Sequence, residues 1–175
     1  MRDDPHERAF VGVGANLDDP ESSVRRAFGC FGSITGTRLV ASSSLYRTDP
    51  VGYLDQPDFV NAVAQIETSL DPRALLEQLL LIEKQFGRKR SRRNAPRKLD
   101  LDLLLHGDRI MKSQNLTLPH PRMAERAFVL VPLAEIAPEV MVGSLGTAAQ
   151  LLSAVSTDGV RRIGAVSESV QSGIT

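Results

Sequence analysis

Cysteine is almost absent. The 175 residues hold one, Cys30, so no disulfide can form within the chain, which fits a reducing compartment. Tryptophan is missing altogether, and six Phe and two Tyr make up the whole aromatic complement. RNA-binding sheets stack bases on several strand aromatics, and this chain has few to offer. Net charge is missing too, with 21 Lys and Arg against 21 Asp and Glu. That balance argues for neither a nucleic-acid binder nor a membrane-surface protein. No apolar run approaches the ~20 residues that a membrane span takes. The opening MRDDPHERAF lacks the apolar stretch of a signal peptide. The length suits one domain that buries about 70% of its unfolded surface. The expectation is a cytoplasmic, soluble, monomeric single domain over residues 1–175, with 1–8 and 158–175 as tails and no nucleic-acid or membrane partner.

The patterning predicts alternating elements. Ala9–Gly14 reads as a short apolar strand. Asp19-Pro20 opens a helix, with Asp as N-cap and Pro at the first helical position, and Val24, Ala27, Phe28 and Phe31 give it one apolar face. Thr37–Leu45 and Phe59–Thr68 read as strands joined by a long Pro- and Gly-containing loop, and long loops inside compact domains are often functional. Asp71-Pro72 repeats the helix-start signal; Leu75, Leu76, Leu79, Leu80 and Ile82 form a stripe that stops near Gly87. Leu99–Leu105 is a further strand. The order β-α-β-β-α-β predicts an α+β, ferredoxin-like sandwich with C-terminal additions. Those additions include a short helix or mixed segment over Glu125–Ile136 and another helix around Ala148–Val155.

Charge is distributed unevenly. Seven basic residues and no acidic one fall between Arg88 and Lys98, leaving 14 basic against 21 acidic residues elsewhere, a formal −7. Leu99-Asp100-Leu101-Asp102-Leu103 follows at once. On a strand, the period of two puts both carboxylates on one face, with Cα atoms about 7 Å apart. Their mutual repulsion is then about 2 kcal/mol at an effective dielectric near 20. A divalent cation between them would reverse its sign, and magnesium typically takes one or two carboxylates plus substrate phosphates. Cations for phosphates beside carboxylates for magnesium suit a nucleoside triphosphate. Asn61, near the start of a strand, can read the edge of a flat heterocycle on which Phe59 or Phe128 stacks. His120 is held between Pro119 and Pro121, with Arg122 and Arg126 close by. Gly12-x-Gly14 begins like a dinucleotide fingerprint, but Ala15-Asn16-Leu17 does not continue it. From these residues alone three readings stay open: phosphoryl-type transfer, a magnesium-dependent nucleotidyltransferase, and a ferredoxin-like RNA-binding domain.

The segments GANL (14–17), SSLYRTDPVGYLDQPDFVNAV (43–63), IEKQFGR (82–88), RNAPRKLDLDLL (93–104) and LPHPRMAERAFVLVPLAEIAPE (118–139) together resemble the 6-hydroxymethyl-7,8-dihydropterin pyrophosphokinase family of folate biosynthesis. The resemblance implies transfer of the β,γ-diphosphate of ATP to the pterin hydroxymethyl group, with release of AMP. It implies that Asp100 and Asp102 bind two Mg²⁺ ions and that Arg88, Arg97 and Asp102 are catalytic. ATP would meet Glu83, Arg88, Arg90, Arg97, Leu103, Thr117, His120 and Arg126. The reduced pterin would meet Thr48, Val51, Phe59, Asn61 and Phe128. Loops over Arg47–Pro57 and Gly87–Arg97 would close on the substrates. The chain departs from the family at Asn94-Ala95, where many members carry Trp-Gly, and at Ala15, where serine is common.

Overall fold

The structure, a computed structural model, describes residues 5–52, 54–87 and 96–166. An interior strand, β1 (Glu7–Ala15), is flanked on both sides by antiparallel partners, β4 (Phe59–Thr68) and β5 (Asp100–His106). Beyond β4 run β2 (Thr37–Ser42) and β3 (Ser44–Thr48), end to end along the same edge. The order β5-β1-β4-β3 is that of a ferredoxin-like sheet, and β8 (Val160–Ala165) extends it past β3. A hairpin of β6 (Met111–Lys112) and β7 (Thr117–Leu118) forms a separate small sheet.

Both faces of the sheet are covered. On one face Ala9, Val11, Val13 and Ala15 pack with Leu101 and Leu103 against the buried stripes of α1 (Pro20–Phe31) and α2 (Pro72–Gln85). On the other, Phe10, Val63, Leu104 and Leu105 pack against α3 (Ala127–Ile136) and α4 (Ala148–Ser153). Period-two alternation along β1 therefore feeds two cores, as a strand buried on both sides requires. None of the helices among the described residues is long and apolar enough to cross a membrane.

The Asp-Pro signals are N-caps: Asp19 accepts from the Ser22 N–H at 3.2 Å and Asp71 from the Ala74 N–H at 2.9 Å. Asp71→Ala should cost about 1 kcal/mol of stability, measured by urea unfolding, because one N–H of the first helical turn loses its acceptor. At the C-terminal end of α2, Gly87 takes the positive φ of 83° that a C′ residue needs.

Three expectations need correction. The Thr37–Leu45 strand is broken at buried Ser43, whose hydroxyl, rather than the ladder, accepts the Val63 N–H at 2.8 Å. Leu80 is 51% exposed; Leu75, Leu79 and Ile82 keep the i, i+4, i+7 face, and Leu80 falls off it. The stretch 158–175 was expected to be a tail, but Val160–Ala165 is a sheet strand in register with Ser44–Thr48. Likewise Glu7 and Arg8, within the 1–8 tail, already belong to β1.

Glutamate 135 fastens α3 to the sheet. Its carboxylate accepts from the Ser44 N–H at 2.7 Å, the Ser44 hydroxyl at 2.6 Å and the Tyr46 hydroxyl at 3.0 Å. Burial and this carboxylate push the Tyr46 hydroxyl up to about 12, so it stays a neutral donor. One pin thus fixes β3, which carries Thr48, against α3, which carries Phe128.

Candidate active site

Three strands offer one line of residues to the α3 side of the sheet. In register, Asn61 of β4 stands beside Gly14 of β1, and Gly14 beside Asp100 of β5; one pleat further along, Gly12 stands beside Asp102. Strand spacing puts Asn61 and Asp100 roughly 10 Å apart at Cα. The two glycines carry no side chain into the space between, so they form the floor of a cavity. Its walls include Thr48, Val51, Phe59 and Phe128 at one end, and Arg97, His120, Arg122 and Arg126 near the aspartates.

Asn61 is buried and fixed. Its amide Nδ2 donates to the Thr48 hydroxyl at 2.7 Å. That leaves part of the amide to meet a ligand edge between two phenylalanine rings that line the same cavity. The two aspartates reach the cavity because Leu101 and Leu103 go the other way, into the core against α2. Arg97 bonds Asp100 at 3.0 Å. The Arg126 guanidinium lies 5.4 Å over the Phe128 ring, linking the cationic wall to the aromatic one. Burial pulls the Arg126 pKa down against the opposing pull of Asp102, yet guanidinium keeps its proton at any physiological pH.

His120 has a defined tautomer. The Arg122 backbone N–H donates to its Nδ1 at 3.2 Å, so the proton of the neutral ring sits on Nε2. Burial, then repulsion from Arg126, lowers its pKa below the ordinary 6.5, with Asp100 opposing. The neutral ring is therefore the folded form, and the stability it brings is present above the ordinary histidine range and lost as pH falls through the lowered value. Any inflection in triphosphate binding that His120→Gln removes should lie below pH 6.5. A titration of ATP-analogue affinity from about pH 8 to 5 in both proteins checks this.

Eleven of the residues singled out from the sequence line this one cavity: Thr48, Val51, Phe59, Asn61, Arg97, Asp100, Asp102, His120, Arg122, Arg126 and Phe128. Three others are not on its wall. Glu83 is buried on the α2 side, where its carboxylate accepts the Leu101 N–H at 2.8 Å between the two aspartates. Leu103 belongs to the core, and Thr117 pairs with Lys112 in the small hairpin. Arg88, Arg90 and the Asn94-Ala95 pair lie outside the described residues. Sequence reading assigned no role to Gly12 or Gly14 and did not single out Asp49, all of which line the cavity. The glycines could have been found from their alternation in β1 opposite the alternating aspartates.

The carboxylate pair fits a hard divalent cation. Both acids face the same cavity, both supply oxygen, and cationic side chains for an accompanying phosphate stand around them. Among the described residues no group of three or more His, Cys, Asp or Glu forms a cage, so a metal held here would draw its remaining ligands from substrate or water.

Comparison with known proteins identifies the family. Residues 10–138 match the model of the 7,8-dihydro-6-hydroxymethylpterin-pyrophosphokinase (HPPK) family. The chain is 43% identical over 157 residues to a 2-amino-4-hydroxy-6-hydroxymethyldihydropteridine pyrophosphokinase of Pseudomonas aeruginosa, covering 90% of this chain and 97% of that one. A Haemophilus influenzae protein of the same name is 46% identical over 134 residues, covering 77% and 84%. Among solved structures, a Plasmodium falciparum HPPK-DHPS crystal structure superposes with a TM-score of 0.70 at 14% identity, covering 93% of this chain and 50% of that one. The present chain thus spans about half the length of that two-part protein, and the likeness is one of fold. Family model and curated relatives together place the chain: it belongs to the 7,8-dihydro-6-hydroxymethylpterin-pyrophosphokinase family.

Proposed function

We propose that the chain transfers the β,γ-diphosphate of ATP to the hydroxymethyl oxygen of 6-hydroxymethyl-7,8-dihydropterin, a step of folate biosynthesis. The hydroxymethyl oxygen bonds to the β-phosphorus, the bond from that phosphorus to the oxygen bridging to the α-phosphorus breaks, and AMP leaves. The observation that carries this reading is the row Asn61, Gly14, Asp100 across three adjacent strands. It sets a heterocycle reader and a carboxylate pair at opposite ends of one glycine-floored space.

Phosphoryl-type transfer asks little covalent chemistry of a protein; positioning and charge stabilisation dominate. Phe59 and Phe128 hold the pterin ring by its faces, and Asn61, steadied by Thr48, holds its edge. Asp100 and Asp102 would hold Mg²⁺, two ions in this reading, which when bound neutralises triphosphate charge and withdraws it from the β-phosphorus. Asp102 also orients the hydroxymethyl group and accepts its proton. Arg97 and Arg126 supply positive charge to the triphosphate and to the AMP phosphate as the bridging oxygen takes up charge, and Arg88 would join them. His120 gives one Nε2–H to a phosphate oxygen without adding charge. The chain works in this reading as a cytoplasmic monomer on ATP and a reduced pterin, without nucleic acid or membrane.

Incubation of the purified protein with ATP, magnesium and 6-hydroxymethyl-7,8-dihydropterin, with products identified by mass, tests the proposal. The expected products are AMP and a diphosphorylated pterin. ADP would mean attack at the γ-phosphorus, and free pyrophosphate with AMP joined to the acceptor would mean a nucleotidyltransferase; either would overturn it.

A further inference from the structure

Directly after β1, Asn16 is 2% exposed and makes hydrogen bonds to two separate stretches of chain. Its Oδ1 accepts the Arg97 N–H at 2.8 Å, and its own N–H donates to the Arg97 carbonyl at 3.0 Å. Its Nδ2 donates to Gln56 Oε1 at 2.9 Å and to the Pro57 carbonyl at 3.0 Å. The orientation of this amide is fixed by its partners, since a backbone N–H can only donate and a proline carbonyl can only accept. Both amide hydrogens and the oxygen are used.

The two stretches it joins border opposite ends of the cavity. Gln56 and Pro57 run straight into Phe59 and Asn61, the pterin end of the proposed site; Arg97 runs straight into Asp100 and Asp102, the phosphate end. No ladder hydrogen bond joins these stretches, because β1 lies between β4 and β5. Beyond the end of β1 the asparagine side chain takes the place of the missing strand and bridges the gap that β1 leaves. We propose that Asn16 is a positioning residue for the transfer step: it sets the acceptor end of the cavity against the phosphate end, so that nucleophile and phosphorus meet in line. It touches neither substrate.

The consequence is specific. Loss of Asn16 should leave each half-site able to bind its own ligand, while the two halves lose their mutual alignment. A displacement of about 1 Å between reacting groups can cost on the order of a hundredfold in rate. The inference rests on the proposed function, and the wild-type enzyme assayed in parallel separates the two: absence of a diphosphorylated pterin there refutes that function first. With wild-type turnover established, Asn16→Ala should lower kcat tenfold or more. Its affinities for the pterin alone and for a non-hydrolysable ATP analogue alone, measured by calorimetry, should each stay within about threefold. Gln56→Ala removes one of the two bonds on the pterin-side arm, leaving that to the Pro57 carbonyl, and should lower kcat by a few fold with the same pattern; it serves as the test if Asn16→Ala does not fold. Unchanged kcat in the folded variants, or a loss confined to one ligand's affinity, would overturn the role.

Discussion

Asp102→Asn lowers turnover at least a hundredfold, while the melting temperature stays within a few degrees of wild type. The first expectation follows from the cavity: Asp102 shares a face with Asp100, and the amide can neither hold a hard cation as well nor take a proton from the acceptor. Loss of one such transition-state contact typically costs 10²–10³ in kcat. The second follows from the strand. Two carboxylates a pleat apart repel by about 2 kcal/mol at an effective dielectric near 20, and relief of that repulsion offsets the attraction to Arg126 that the amide loses, so the fold changes little while activity is lost. Steady-state kinetics and thermal melting in metal-free buffer check both halves. Full turnover in Asp102→Asn would remove both roles assigned to this residue, and a large fall in melting temperature would show that it serves the fold instead. By the same reasoning, stripping divalent metal from the wild type abolishes turnover but leaves pterin binding by Phe59, Asn61 and Phe128 in place.

Gly14→Ala raises the Kd for the pterin roughly ten- to a hundredfold, whereas Gly12→Ala, two residues away in the same strand, does so by less than about threefold. A Cβ on Gly14 would stand 2.6 Å from Asn61 Oδ1, closer than real contacts allow, and Asn61 must then move. That amide is tied to Thr48 by a 2.7 Å bond, so moving it breaks the bond as well as the alignment with the ligand. Misplacing a buried polar group of this kind costs about 1–3 kcal/mol, the basis for the range given. A Cβ on Gly12 meets the Leu104 methyls at 3.6 Å and Asp102 Cβ at 3.8 Å, ordinary packing distances. Fluorescence or calorimetric titration with the pterin alone, without ATP, isolates the effect. Equal losses in the two variants would mean that the floor is occluded in general and that Asn61 is not the reader.

What the sequence discloses about this fold is what short-range physics controls. The two Asp-Pro caps, the apolar face of α1 and the alternation in Leu99–Leu103 are local patterns, and each stands in the structure where the pattern puts it. The cavity residues drew notice through chemistry that is odd for its context: aspartates in an apolar strand, an asparagine after a proline-rich loop, a histidine between prolines. Register is another matter. That residues 61, 14 and 100 share one row depends on how three strands far apart in sequence slide against each other, and periodicity does not encode that offset. Ser43 splits a strand through a side-chain bond that mimics the ladder, which no propensity anticipates. Strand β8 was hidden because Arg161 and Arg162, on a half-covered edge strand, dilute its apolar signal. Asn16 carries no role in the sequence reading because one asparagine after a strand reads as a turn residue until its four hydrogen bonds, to Gln56, Pro57 and Arg97, are placed around it.

The spatial order of the site is tested most directly by the structure of the protein with the pterin, magnesium and an ATP analogue whose α–β bridging oxygen is replaced by methylene, which blocks the bond proposed to break. The expected result is a pterin ring between Phe59 and Phe128 with its edge on the Asn61 amide, its hydroxymethyl oxygen facing the β-phosphorus, and metal between the triphosphate and Asp100 with Asp102. A pterin bound away from Asn61, or a metal-bound triphosphate that leaves both aspartates uncoordinated, would contradict it.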